Sequence, residues 1–178
     1  MFTVIGPVLW SACFLVALVS AVLAGRSRRA MVVGRVAVGV LMLVGGAVFN
    51  LVQLLLGNDY SGFADPSPFG WVTDAWEAVV PAHHVVLIGL LVLFEATVGV
   101  LVLSGGRRTQ FGYAAAIAFH ALLWLFGWFE AVYVVLVLPA LVLLLRAERR
   151  AGRRAAAAVP DRPEVVPADG GLPRPRAG

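Results

Sequence analysis

The sequence predicts an all-α membrane protein with five transmembrane helices. Of the 178 residues, 61% are hydrophobic and 13% are charged, a balance typical of multi-span membrane proteins rather than soluble domains. Several long stretches carry no charge and approach the roughly 20 residues that a helix needs to cross the hydrocarbon core. The basic residues are all arginines, and they alternate with acidic segments between these stretches. Together these observations indicate helices that cross a bilayer repeatedly.

Turn signals and length divide the chain into spans. The uncharged stretch 2–24 precedes its arginines and has no basic segment before it, which favours an uncleaved span over a signal peptide. The run 111–145 would reach ~52 Å as one helix, against a hydrocarbon core of ~30 Å. We therefore expect it to break at Gly127 and Trp128. The predicted spans are 2–24, 32–56, 83–103, 109–127 and 129–146.

The predicted outer loop, 57–82, contains four acidic residues and no basic residue. Within it, TDAWEAVV predicts a short helix that Thr73 caps and Pro81 ends, lying across the bundle at the membrane interface. The arginines fall at 26–35, 107–108 and 146–154, which places the N-terminus outside and the C-terminus in the cytoplasm. Residues 148–178 form a cytoplasmic tail that is first basic and then rich in Pro, Ala and Gly. The basic part is able to prolong the last helix along anionic headgroups, and the rest is predicted to be disordered.

Two ionisable residues, Glu95 and His120, lie deep in apolar segments joined by the turn SGGRRTQ. At ~1.5 Å per residue, each lies ~18 Å from that turn. Ionisable groups in hydrocarbon are costly and need partners, so we expect both side chains to face the bundle interior and to be coupled, either directly or through a water molecule or ligand. The pair is compatible with a structural link between helices, a proton path or a ligand site.

The pattern of residues 32–146 resembles the DoxX-like family of small bacterial membrane proteins. The resemblance rests on RVAVGVLMLVGGAVFNLVQ and on LFEATVGVLVLSGGRRTQFGYAAAIAF, in which the matching residues are Glu95, Gly99, Gly106, Arg107, Arg108 and Thr109. It implies a four-helix core in the bacterial cytoplasmic membrane, with residues 1–25 as an added span. Many members have a lysine near the end of the Arg-started helix, where this chain has Asn50 and Gln53. The family is linked to quinone-coupled sulfur oxidation and to membrane redox complexes with soluble thiol enzymes.

Further candidate residues lie near the outer ends of the predicted helices. His83, His84, Asn50, Gln53 and Glu130 are polar groups for a ligand or proton path, but adjacent histidines point about 100° apart on a helix and predict no metal site. Nearby aromatic residues suit a headgroup belt or the wall of a quinone site. Phosphate loops, catalytic triads and dinucleotide motifs are not found, so autonomous enzymatic activity is not expected.

We therefore expect an integral membrane subunit of a redox assembly, either non-catalytic or quinone-binding. The candidate cofactor is a quinone, and the candidate partners are the lipid bilayer, a soluble redox protein and a second copy of this chain. Nucleic acid is not expected, because topology explains the arginines. The alternatives are a small-solute or proton transporter that uses Glu95 and His120, and a structural scaffold.

Overall fold

The computed structural model describes residues 2–157, and residues 2–9 only by their backbone. Within this range the fold is all-α, as predicted. Its helices are α1 (Phe2–Leu23), α2 (Arg28–Leu55), α3 (Gly70–Leu103), α4 (Gly106–Leu123) and α5 (Trp128–Ala157).

Four of these helices are long and apolar enough to cross a membrane: α2, α3, α5, and α4 with its 3-10 extension Trp124–Phe126. In α1, whose side chains are described from Trp10 onward, the described apolar part is Trp10–Leu23. Long apolar helices of this kind indicate a multi-pass membrane protein.

Each helix packs against the next along the chain, and α1 also contacts α5. The short connections make sequential helices antiparallel. A further contact between α2 and α5 closes a four-helix bundle, so α1 lies on its outside, against both of these helices. One end of the bundle carries the 57–69 loop and the turn at Gly127, and we call it the loop end. The other end, with the turns at 24–27 and 104–105 and the last part of α5, is the arginine end.

Helix α3 runs from Gly70 to Leu103 and is kinked at His83, where two helical segments meet. The segment before the kink contains the predicted short helix TDAWEAVV, and the segment after it begins next to the predicted span start at 83. Proline removes one backbone hydrogen bond and crowds the preceding turn, which bends a long helix without necessarily ending it. The bend appears at His83, whose φ of −126° and ψ of 20° are not helical. The predicted outer region 57–82 thus consists of the 57–69 loop and this first helical segment.

The predicted cap at Thr73 is wrong, because Phe69 occupies the N-cap position. The Thr73 hydroxyl instead donates a hydrogen bond to the Ala64 carbonyl oxygen at 2.9 Å. The Ser67 hydroxyl donates to the Leu125 carbonyl oxygen at 2.6 Å. These two bonds attach the 57–69 loop to α3 and to the turn after α4, so the loop covers the loop end of the bundle.

The predicted break at Gly127 and Trp128 is confirmed. Gly127 has φ +151° and separates the 3-10 turn from α5. A Cβ atom at this position would lie 2.9 Å from Pro66 Cβ, so glycine is needed here for close packing as well as for conformation. Helix α5 extends beyond the predicted end at 146 as far as Ala157. Residues 148–157 of the predicted tail are thus helical, and 158–178 lie outside the described residues.

Helix α2 contains a π-helical segment, Leu41–Val48, between two α-helical parts. Insertions of this kind rotate the following residues around the helix axis and are frequent at functional sites. The segment contains Gly45 and Gly46 and comes just before Asn50. It therefore sets the direction in which the Asn50 side chain leaves the helix.

Candidate functional site

Glu95 lies in the interior of the bundle, between α2 and α3. Its side chain is 5% exposed, and its Oε2 accepts a hydrogen bond of 2.8 Å from Asn50 Nδ2. Gly46, one turn before Asn50, provides the space for the carboxyl group: a Cβ atom there would lie 2.6 Å from Glu95 Oε1. The facing surfaces of α2 and α3 thus pack around a single carboxyl group.

Asn50 connects Glu95 to the 57–69 loop. The Tyr60 hydroxyl lies 3.1 Å from both Asn50 Oδ1 and the Asn50 carbonyl oxygen and donates to this pair of acceptors. Burial, and secondarily the charge of Glu95, raises the pKa of the Tyr60 phenol, so the phenol keeps its proton at neutral pH. We call Tyr60, Asn50 and Glu95 the loop-end network; it extends from the loop to the bundle interior.

The backbone of Tyr60 is held in an unusual conformation. Its φ is +62°, the only positive value at a non-glycine position among the described residues. This conformation costs roughly 1–2 kcal/mol for an L-residue with a Cβ. Asn58 Oδ1 accepts the Tyr60 amide proton at 2.8 Å, and the Tyr60 carbonyl oxygen accepts from Trp76 Nε1 at 2.9 Å. These bonds hold the strained turn that directs the phenol toward Asn50.

His120 belongs to a second buried centre, between α4 and α5. It is 7% exposed, and its Nδ1 lies 2.7 Å from the Ala116 carbonyl oxygen. A carbonyl oxygen only accepts, so Nδ1 carries the proton, and in the neutral ring Nε2 accepts from the Tyr133 hydroxyl at 3.1 Å. Trp10 and Phe14 of α1 pack on the Tyr133 ring, with centroids 5.1 and 5.2 Å away.

The predicted coupling of Glu95 with His120 by direct hydrogen bonding is not observed. Glu95 is bonded to Asn50, and both nitrogens of His120 are bonded to Ala116 and Tyr133. Both side chains are buried, as expected. Equal depth along two neighbouring helices fixes the height of a side chain but not the direction in which it points around the helix axis. Glu95 is directed toward α2, and His120 toward α5.

A third polar centre, at the arginine end, was not predicted from the sequence. Arg35 of α2 forms an ion pair with Glu148 of α5, with Nη2 and Nε at 2.6 and 3.0 Å from Oε1. Glu148 is 5% exposed. In the sequence, Arg35 resembles a topological arginine and Glu148 lies in the basic run RAERR, so neither indicates a buried partner. The pair joins α2 to α5, two helices that are distant in sequence.

The family-pattern residues have structural positions around the turn between α3 and α4. The Thr109 hydroxyl is fully buried, donates to the Val102 carbonyl oxygen at 2.8 Å and accepts from the Gly105 amide at 2.7 Å. Gly106 begins α4 with φ +61°. On α3, a Cβ atom at Gly99 would lie 2.6 Å from Leu43 Cγ. Arg107 and Arg108 are exposed.

The remaining candidates do not join one site. His83 is exposed at the bend of α3, and His84 donates from Nδ1 to the Pro81 carbonyl oxygen at 2.8 Å. Glu130 begins α5, and its Oε2 is buried without a partner in the described part of the chain. Gln53 is half-buried and makes no side-chain hydrogen bond there. Within residues 2–157, no three His, Cys, Asp or Glu side chains lie close enough together to hold a metal ion.

Comparison with known proteins finds no matching family model, no matching curated protein and no matching solved structure. The resemblance to the DoxX-like family therefore stays a prediction.

Proposed function

We propose that this protein moves protons, or a small solute together with protons, across a membrane, and that Glu95 takes up and releases the proton. One observation carries this proposal: the loop-end network has hydrogen-bonding groups suited to both protonation states of Glu95. An ionised carboxyl group only accepts hydrogen bonds, and Asn50 Nδ2 donates one to it. A protonated carboxyl group also needs an acceptor.

Asn50 supplies that acceptor if its carboxamide turns over and presents Oδ1 to Glu95. Nδ2 then faces the Tyr60 hydroxyl, which accepts a hydrogen bond while still donating to the Asn50 carbonyl oxygen. Glu95 Oε2, the Asn50 carboxamide and the Tyr60 hydroxyl thus all remain paired after protonation. A contact that served only to hold two helices together would need hydrogen-bonding groups for only one of the two protonation states of Glu95.

An amide does not pass protons along, so protons would reach Glu95 through water. The attachment of Tyr60 to Asn50 covers Glu95 on the side of the loop. Release of this contact would admit water toward the carboxyl group, and closure would separate it from that side again. Such gating by a loop is common where a buried group exchanges with solvent.

The test uses the full chain in liposomes that contain a pH-sensitive dye, with an imposed pH gradient and a clamped membrane potential. We expect wild-type protein to dissipate the gradient faster than empty liposomes, E95Q to abolish the difference and Y60F to alter the rate. D74N is the matched control, because Asp74 is an exposed carboxyl group on α3. Wild-type liposomes that behave like empty ones, under gradients of either sign, would contradict proton transport.

Infrared spectroscopy tests the protonation step independently of transport. The wild type should show a carboxylic acid C=O band that titrates with pH, and E95Q should lack that band. Its presence unchanged in E95Q would show that another carboxyl group titrates.

The second candidate is the quinone-binding redox subunit that the DoxX-like resemblance implies. The observation that favours it is the His120–Tyr133 pair beside the rings of Trp10 and Phe14. A cavity of about 20 Å³ lies next to the pair. That space suits about one water molecule, so a quinone ring would require α1 to move outward. Purification in mild detergent followed by mass spectrometry should then find quinone bound to the wild type and a smaller amount of bound quinone in Y133F.

A further inference from the structure

A groove at the arginine end lies between the last turn of α1 and α5. Its volume is about 360 Å³. Three arginines border it: Arg26 from the turn after α1, and Arg146 and Arg150 from α5. The two α5 residues are four positions apart and therefore share one helix face. All three side chains are exposed.

No carboxyl group lines this groove. The one ion pair within residues 2–157 joins Arg35 to Glu148, so none of the three groove arginines is paired with a described carboxylate. Three guanidinium groups around one recess repel one another unless an anion lies between them. Their planar, multiple donors match the oxygens of a phosphate group.

The remainder of the groove is apolar. Val22 and Leu23 of α1 and Leu143 of α5 line it, and each is at least 40% exposed. Small residues keep it open: a Cβ atom at Gly25 would have Arg150 Nη1 at 4.0 Å as its nearest neighbour. Deeper in the membrane, α1, α2 and α5 close together, because a Cβ at Gly34 would lie 2.6 Å from Leu144 and 3.0 Å from Ser20. The groove therefore has a charged rim, an apolar wall and a closed floor.

We propose that this groove binds one anionic phospholipid, with its phosphate between Arg26, Arg146 and Arg150 and an acyl chain along Val22, Leu23 and Leu143. The position fits this ligand, because the arginines lie where the apolar surfaces of α1 and α5 end. Basic recesses between helix ends are typical sites for anionic headgroups. The apolar wall adds hydrophobic contact that a free phosphate ion does not use. The lipid would also join α1 to the four-helix bundle.

The experiment measures lipid binding to the full purified chain by native mass spectrometry, with phosphatidylglycerol or phosphatidylcholine added in equal amounts. We expect one saturable phosphatidylglycerol per chain and weaker binding of phosphatidylcholine, whose choline cancels the phosphate charge. The triple variant R26Q/R146Q/R150Q should lose roughly a hundredfold in affinity, taking about 1 kcal/mol for each arginine near the surface. Equal binding of both lipids to wild type would overturn the proposal.

The matched control is R28Q/R149Q/R153Q, which removes the same charge from neighbouring positions and leaves the groove arginines in place. It should keep at least most of the wild-type affinity. An equal loss in both triple variants would mean that net charge alone attracts the lipid, and would refute a defined site.

A charge-neutral variant covers the case in which the triple variant fails to fold. G25L fills the groove but retains all the arginines, and it should also lose the bound phosphatidylglycerol. Retention of the lipid by well-folded G25L would place the lipid elsewhere. Inorganic phosphate distinguishes the two sources of the anion: it should compete only weakly, and displacement of the lipid by equimolar phosphate would overturn the role of the acyl chain.

Discussion

Gly46 of α2 and Glu95 of α3 fit each other closely, with the carboxyl group of one occupying the space that a side chain on the other would need. A Cβ at position 46 would lie 2.6 Å from Glu95 Oε1 and 2.7 Å from Glu95 Cδ. A methyl group there would displace the carboxyl group from Asn50. The packing of α2 against α3 and the position of the Glu95 carboxyl group therefore depend on the absence of a Cβ atom at position 46.

We expect G46A to destabilise the protein by about 1–3 kcal/mol, the usual cost of overpacking a close contact. Denaturant titration in detergent measures this loss. E95A in the same chain should recover part of it, because the smaller side chain frees the space. G89A is the control, since a Cβ at Gly89 meets nothing within 4 Å. Equal stability of G46A and wild type would contradict the observed fit.

Removal of either member of the Arg35–Glu148 pair should be costly, because the other charge is left buried. Arg35 is 18% and Glu148 5% exposed. We expect R35L or E148L to lose about 3–5 kcal/mol, and the double variant to lose less than either alone. R108L, at an exposed arginine, should change stability by less than about 0.5 kcal/mol. If R35L and E148L lost as little stability as R108L, the ion pair would contribute little to the stability of the protein.

Glu95 and His120 should behave as independent residues, since each has its own hydrogen-bond partners. The stability losses of E95Q and H120Q should add to within about 0.5 kcal/mol in the double variant. H120Q and Y133F share a hydrogen bond and should not be additive, which makes them the positive control. Strong coupling between positions 95 and 120 would indicate an intervening water or ligand that links the two centres.

The turn at Asp59 should loosen at acid pH. The Ser61 amide and hydroxyl, in that order, lower the pKa of the Asp59 carboxyl group by donating hydrogen bonds of 3.0 and 2.8 Å. A carboxyl group whose pKa is lower in the folded state stabilises that state above its unfolded pKa, about 4, and loses the effect as pH falls through the folded value. The Ser61 amide NMR shift should titrate with a midpoint below the ordinary aspartate value of 3.8, and D59N should show no such titration. A midpoint at or above that value would mean that these bonds do not favour the charged form.

The arginine end should face the cytoplasm, because arginine-bearing turns favour that side. Reporter fusions after Arg29, Arg108 and Arg150 should be cytoplasmic, and a fusion after Asp65 should be external. An external reporter at Arg108 would contradict this predicted topology.

Much of the helical layout could be predicted from sequence, because it depends on local properties of the chain. Hydropathy and length located the apolar helices, and length alone required the break at Gly127. Pro81 is a local signal of the same kind, because the helix is kinked two residues later, at His83.

Hydropathy along the chain was enough to show that Glu95 and His120 lie deep in apolar helices and need partners. The identity of those partners came from helix packing: Asn50 for Glu95, Tyr133 for His120, and Glu148 for Arg35. In a membrane, lipid and protein interior are both apolar, so hydropathy does not reveal which face of a helix turns inward. Val86 and Ile88 are equally apolar, yet they are 63% and 3% exposed. The rotation of each helix, adjusted in α2 by the π-helical segment before Asn50, is set by contacts between residues distant in sequence.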